Sequence, residues 1–77
     1  MTNPQPPPYS ANVRAEVARA GRQQKDVAAA VGMTWSQWER RLRGDVDWRA
    51  YELDAIAHEL QIPLRRLYER ANGEPVR

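Results

Sequence analysis

Apolar residues recur every three or four positions along most of the chain, which is the spacing of a helix that buries one side. The first such stripe follows Ser10, a good N-cap residue, and it stops at Gly21, where a left-handed backbone costs least. The inward residues of this stripe are Val13, Val17 and Ala20. The pattern therefore predicts a first helix over about residues 10–20.

Two further helices are predicted on either side of a short turn. The second helix spans about residues 24–31 and ends at Gly32, and its inner face consists of Val27, Ala28 and Val31. Thr34 is the predicted N-cap of a third helix over about 35–43, which ends at Gly44. A joint this short turns the chain by a wide angle, so the segment is predicted to be a helix-turn-helix.

The remaining apolar spacing predicts two more helices. Asp47 is the expected N-cap of a fourth helix over about 48–60, and Pro63 suits the first turn of a fifth over about 63–71. The inward residues of the fourth are Leu53, Ile56, Ala57 and Leu60, and those of the fifth are Leu64, Leu67 and Tyr68.

The pattern as a whole predicts the all-α class. No segment alternates with the period of two that marks a half-buried strand, and the joints are two to four residues long. We expect a compact bundle of about five short helices that contains the helix-turn-helix. The domain is expected over residues 10–71, between a flexible proline-rich tail (1–9) and a short C-terminal tail (72–77).

The proline-rich tail allows a second interpretation. Residues 6–9 read Pro-Pro-Pro-Tyr, which is the PPxY form that WW domains bind. A mobile leader in which Tyr9 folds back on the core is the preferred interpretation, because a tail rich in proline meets a tyrosine easily by chance.

Composition excludes several functional classes. The 77 residues include no Cys and only one His, so neither a disulfide framework nor a zinc cluster is expected, and no cofactor is predicted. The apolar runs are far shorter than the ~20 residues of a membrane span, and no nucleophile–base set or phosphate loop is visible. We therefore expect a cytoplasmic protein that is not an enzyme and binds neither membrane nor small molecule.

Charge is distributed unevenly along the chain. Residues 13–43 carry seven basic and three acidic side chains, a net +4, whereas residues 44–77 carry five basic and seven acidic ones, a net −2. Eleven of the twelve basic residues are arginine, whose planar guanidinium makes bidentate contacts to phosphate or guanine. The basic half therefore predicts a positive face directed at an anionic partner.

The ordered residues around the predicted turn resemble the lambda-repressor/Cro (Xre-type) class of helix-turn-helix DNA-binding domains. The similarity covers about residues 13–68. It runs through QKDVAAAVGMT (24–34), Trp38 and the RLRG string (41–44), and it continues in ELDAIAHELQIPL (52–64). The resemblance implies a sequence-specific regulator of double-stranded DNA, of phage or bacterial origin, whose third helix enters the major groove.

Helical spacing selects the face of the third helix that would meet DNA. Trp38 and Leu42 lie four apart and are expected to hold this helix on the core. The opposite side, within roughly 120° of arc, carries Ser36, Gln37, Arg40 and Arg43. With the residues that the resemblance adds, the expected DNA-binding set is Gln24, Lys25, Thr34, Trp35, Ser36, Gln37, Arg40, Arg41 and Arg43.

The resemblance also implies roles for single residues. Gln37 is expected to contact adenine bidentately, Arg40 to contact guanine or phosphate, and Gln24 to meet the phosphate backbone. Trp35 remains open between packing and base contact, and Arg41 borders the inner face. Many members of the family carry an apolar residue and then Glu before the closing glycine; the Arg-Leu-Arg found here makes the contact set more basic.

The expected mode of action is repression by occupancy of an operator, as in Cro-like proteins. One recognition helix covers few base pairs, so we expect a homodimer on a pseudo-palindromic site. Its contact is expected in the fifth helix and tail, at Leu64, Leu67, Tyr68 and Val76.

Two other functions remain open from the sequence. The domain could be an antitoxin or an excisionase-like accessory factor, or a helix-turn-helix that has become a protein-interaction module. A module of that last kind would tend to lose the basic residues of the third helix, and here they are retained.

Overall fold

A computed structural model describes residues 7–70, and within this range the chain forms five helices and no strand. The helices are α1 (Tyr9–Arg19), α2 (Gln24–Ala30), α3 (Trp35–Arg43), α4 (Ala50–Leu60) and α5 (Arg65–Tyr68). Helix α1 packs against the other four, and α2 also contacts α3 and α4. The predicted all-α bundle is confirmed. Neither the start of the predicted N-terminal tail nor the predicted C-terminal tail (72–77) belongs to the described residues.

One hydrophobic core joins all five helices and the α3–α4 connection. Its buried members are Val13, Val17, Val27, Ala28, Trp38, Trp48, Leu53, Ile56, Ala57, Leu60 and Leu67. The inward positions of the second and fourth predicted helices are largely confirmed. Ala20 was predicted to point inward but is exposed, because α1 ends at Arg19 and Ala20 is its C-cap. None of the described helices is long and apolar enough to cross a membrane.

The first helix begins differently from the prediction. Its N-cap is Pro8, whose carbonyl accepts the N–H of Asn12 at 2.8 Å, so Ser10 is not the cap. Tyr9 therefore belongs to α1, and its ring packs edge-on against Tyr68 with the centroids 5.3 Å apart. This contact confirms that Tyr9 folds back on the core. A helical Tyr9 is also unsuited to the extended ligand that a WW domain binds.

The fourth helix begins two residues later than predicted, and Asp47 is not its cap. Trp48 is buried against Trp38, and Arg49 is extended and serves as N-cap. The cap is closed from inside the helix, because Glu52 Oε1 accepts the Arg49 N–H at 2.8 Å. Because the Trp48 indole is buried, residues 47–49 are not helical, and α4 begins only at Ala50.

The fifth helix is one turn long. The Leu67 N–H bonds to the carbonyl of Leu64 at 2.9 Å, a tight i→i+3 turn, and Glu69 is extended. The predicted span to residue 71 is therefore too long within the described range, and residue 71 itself lies outside it.

Gln61 provides a test of the backbone strain at the end of α4. It is the C-cap of that helix and adopts the left-handed conformation, with φ 56° and ψ 47°. We expect Gln61→Gly to raise the free energy of unfolding by about 0.5–1 kcal/mol, because glycine adopts this conformation without steric strain. Urea unfolding measures the change. Ala29→Gly, at an exposed helical position of α2, is the matched control and should lower stability by a similar amount. Loss of stability in both variants would contradict the prediction.

Candidate nucleic-acid interface

The turn between α2 and α3 is built around a left-handed glycine. Gly32 has φ 78°, and the next residue, Met33, donates its N–H to the Ala28 carbonyl at 2.9 Å, which closes the end of α2. Ala28 is buried where α2 packs near α3, and Met33 packs half-buried against the core. The left-handed backbone at Gly32 confirms the glycine that the sequence predicts at the end of α2.

The first turn of α3 is closed by a reciprocal pair of hydrogen bonds. Thr34 Oγ1 accepts the Gln37 N–H at 3.1 Å, and Gln37 Oε1 accepts the Thr34 N–H at 2.9 Å. This capping box confirms Thr34 as the N-cap. It also engages the amide oxygen of Gln37, which the sequence-based prediction had assigned to adenine.

Trp38 holds α3 to the body of the domain, as predicted. Its side chain is fully buried and meets Trp48 edge-on, with ring centroids 5.2 Å apart. The indole N–H donates to Gln24 Oε1 at 2.9 Å, across the α2–α3 pair. Gln24 therefore has an internal role that the sequence did not reveal, while its Nε2 makes no hydrogen bond to any described residue.

Arg41 was expected among the DNA-binding residues, and the structure places it in the interior instead. Arg41 is only 9% exposed, and its Nε donates to Glu52 Oε1 at 2.7 Å. A second bond runs from its Nη1 to the Gln37 carbonyl at 3.2 Å. Because the guanidinium is bonded on the protein side of α3, Arg41 does not belong to the outer face.

The outer face of α3 is exposed and basic. Ser36, Gln37, Arg40 and Arg43 are all exposed, as the helical spacing predicts. Arg43 pairs with Asp45 at 3.1 Å, with both side chains 58% exposed, and Arg40 forms no ion pair within residues 7–70. Trp35 is 45% exposed and does not belong to the buried core. We call Trp35, Ser36, Gln37, Arg40 and Arg43 the α3 outer face.

Tertiary packing places one more basic residue, Arg14, near the end of α3, where the sequence did not predict it. Arg14, exposed on α1, donates through Nη2 to the Leu42 carbonyl at 3.2 Å, so its guanidinium lies at the C-terminal end of α3. No sequence signal identifies it, because only the packing of α1 against α3 brings residues 28 positions apart together. At the start of α2, Lys25 is exposed as expected.

Three of the four predicted oligomerisation residues lie within the described range, and all three pack against the domain itself. Leu67 is fully buried in the core and cannot contact a partner, so its assignment is wrong. Tyr68 is half-buried against Tyr9, and Leu64 is half-buried against the core. Val76 lies outside the described residues. The physical reason is that the short α5 uses its apolar side to cover α1.

Comparison of the chain with protein-family models, curated proteins and solved structures gives no match. Within the described residues the protein is all-helical. Its helix α3 is attached to the body of the domain by buried Trp38 and Arg41, and its other side exposes hydrogen-bond donors and positive charge. Guanidinium and amide N–H groups on such a helix are suited to phosphate oxygens and to the acceptor atoms of base edges.

Proposed function

We propose that this protein is a sequence-specific double-stranded DNA-binding regulator that acts by occupying its site. The observation that carries the proposal is the division of α3 into two sides. Trp38 and Arg41 are buried and hydrogen-bonded toward the body of the domain, while Arg40 and Arg43 are exposed on the other side. A helix supported in this way can enter a major groove, which admits one helix, without rearrangement of the fold.

Groups outside α3 would fix the position of the domain on the duplex. Lys25 and the Nε2 of Gln24, at the start of α2, are donors suited to a phosphate on one side of the groove. Arg14 extends the positive charge at the far end of α3. Contacts of this kind set the register of the protein without reading sequence, whereas the α3 outer face would read the bases.

The proposed regulation is occupancy of a pseudo-palindromic operator by two copies of the chain, as in small phage or bacterial repressors. A single α3 reaches only a few base pairs, so a second copy would supply the remaining specificity. Leu67 would take no part in a contact between the two copies, because it is fully buried within one domain.

Arg40→Ala tests the docking face. We expect this variant to bind DNA about tenfold more weakly at low salt, because one exposed guanidinium is removed from the face. For the unaltered protein, the logarithm of the DNA association constant should fall with the logarithm of the salt concentration at a slope of about −4 to −5. The slope of the variant should be shallower by about 1. Fluorescence anisotropy over a salt series measures both quantities.

The matched control for this test is Arg65→Ala, which removes an exposed arginine of α5 outside the α3 outer face. It should change affinity far less than Arg40→Ala. Equal affinities for the Arg40 variant and the unaltered chain would show that the docking face is wrong.

A second candidate function is a protein-interaction module. It is favoured by two large exposed aromatic side chains: Trp35, 45% exposed at the start of α3, and Tyr51, 69% exposed in the first turn of α4. Tyr51 borders a groove of about 280 Å³ beside the α2–α3 turn, which Met33 and Arg49 also line. The two functions differ in their dependence on salt, since only DNA binding is expected to weaken steeply.

A further inference from the structure

The capping box at the start of α3 fixes the orientation of the Gln37 amide. Its consequence for base recognition rests on the proposed DNA-binding function. A glutamine that contacts adenine bidentately uses both ends of its amide: the oxygen accepts from adenine N6, and the nitrogen donates to N7. In this structure the oxygen is already bonded to the Thr34 N–H at 2.9 Å. That assignment of the amide is chemically fixed, because a backbone N–H requires an acceptor and the amide nitrogen has only donors.

The cap is unfavourable to break when DNA binds. Release of Gln37 Oε1 would remove one of two reciprocal bonds at the N-terminus of α3 and leave the Thr34 N–H without its partner. The Gln37 backbone is held as well, because its carbonyl accepts Arg41 Nη1 at 3.2 Å and Arg41 is itself bonded to Glu52. The residue therefore meets a base with its orientation already set.

The Nε2 of Gln37 makes no hydrogen bond to any residue within 7–70, and the Gln37 side chain is exposed. Arg40, three positions later on the same exposed side, adds a guanidinium that also has only donors. Guanine presents two neighbouring acceptors, N7 and O6, in the major groove. Adenine presents one acceptor beside an N6 donor that would face another N–H.

We propose that the Thr34–Gln37 cap holds the amide oxygen of Gln37 at the start of α3 and leaves Nε2 as the group that meets a base, so that Gln37 and Arg40 together select guanine and discriminate against adenine. The ligand class is a duplex whose half-site presents guanines to α3. This reverses the adenine contact that the sequence resemblance implies for Gln37.

The variant Gln37→Glu isolates the proposed group. A carboxylate at this position still accepts the Thr34 N–H and keeps the capping box, but it has no N–H to donate to a base. The urea midpoint of unfolding should therefore stay unchanged. Gln61→Glu, at an exposed glutamine at the end of α4, adds the same charge outside the α3 outer face and serves as the matched control.

The experiment selects bound sequences from a pool of random duplexes with the unaltered protein, Gln37→Glu and Gln61→Glu. The unaltered protein and the control should prefer guanine at the same positions. The Gln37 variant should lose about tenfold of the preference for guanine over adenine at one of them. In the selected duplex, 7-deazaguanine at that position should weaken the unaltered protein, and it should weaken the Gln37 variant much less.

Three outcomes would overturn the inference. Enrichment of adenine at the position that Gln37→Glu alters would show that the amide oxygen of Gln37 reads N6 and that the cap does not direct the residue to guanine. Unchanged base preferences in a folded Gln37 variant would show that Gln37 reads no base. Failure of the unaltered protein to enrich any sequence would overturn the proposed DNA-binding function, and the guanine inference with it.

Discussion

Trp38→Ala is expected to lower the free energy of unfolding by about 3–5 kcal/mol, which is among the largest losses that a single residue can cause in this chain. Trp38 is fully buried, and its removal leaves a cavity between α3 and the core. The edge-on contact with Trp48 and the hydrogen bond to Gln24 are lost with it. Native proteins have a stability of roughly 0.05–0.15 kcal/mol per residue, so this loss is a large fraction of the total for a chain of 77 residues.

Two further variants separate the causes of this loss. Trp38→Phe keeps an aromatic ring but has no N–H for Gln24 Oε1, so its loss should be smaller than that of the alanine variant. Trp35→Ala, three residues earlier and 45% exposed, should change stability by less than about 0.5 kcal/mol. Circular dichroism during urea unfolding measures all three. If Trp35→Ala were as destabilising as Trp38→Ala, the assignment of the buried and exposed tryptophans would be wrong.

Arg41→Met is expected to lower stability by about 3–5 kcal/mol, although the removed group is charged and basic. Its guanidinium pairs with Glu52, and both side chains are at most 10% exposed. Removal of Arg41 leaves the Glu52 carboxylate buried, and within residues 7–70 its one remaining hydrogen-bond donor is the Arg49 N–H. The bond from Arg41 to the Gln37 carbonyl is lost as well.

The double variant Arg41→Met/Glu52→Leu should recover most of that loss, since it removes both buried charges and fills the space with apolar side chains. Recovery should stop about 1 kcal/mol short of the original stability, because the Arg49 N–H loses its acceptor. Arg43→Met is the control: its ion pair with Asp45 is 58% exposed on both sides, and exposed pairs contribute about 0–1 kcal/mol. A double variant no more stable than the single one would contradict the assignment.

These two predictions concern one structural device. Trp38 attaches α3 to α2 and to the α3–α4 connection, while Arg41 attaches it to the first turn of α4. Both attachments lie on one side of the helix, so the α3 outer face stays exposed. The Arg41/Glu52 double variant should therefore keep its DNA affinity, because in the proposed function Arg41 supports α3 and does not contact the duplex.

Much of the fold followed from local pattern. The spacing of apolar residues in α2 and α4 identified the buried sides of those helices, because a helix that packs on one core must repeat its apolar residues every 3.6 positions. Gly32 and Thr34 defined the turn before α3, since a left-handed backbone and a reciprocal N-terminal cap each require few residue types. The burial of Trp38 and the exposure of Arg40 followed from the same spacing.

Contacts between distant residues decided the rest. Ser10 and Asp47 have the chemistry of helix caps, but neither is one. Ser10 bonds to the Arg41 carbonyl and to the Trp48 indole instead. At Asp47 the chain is not yet helical, because Trp48 is buried before α4 begins. Helical spacing left Arg41 at the border between inside and outside. The buried carboxylate that draws Arg41 inward belongs to Glu52, on a different helix.

The chain's own pattern thus determined which segments are helical and which side of each can be buried. Tertiary structure decided how several polar side chains are used: the amide oxygen of Gln24 accepts the buried indole N–H of Trp38, Arg41 pairs with Glu52, and Arg14 reaches the end of α3. The physical reason is that periodicity and capping act within a few residues. The partner of a polar group depends on which helices pack together, and no local pattern encodes that.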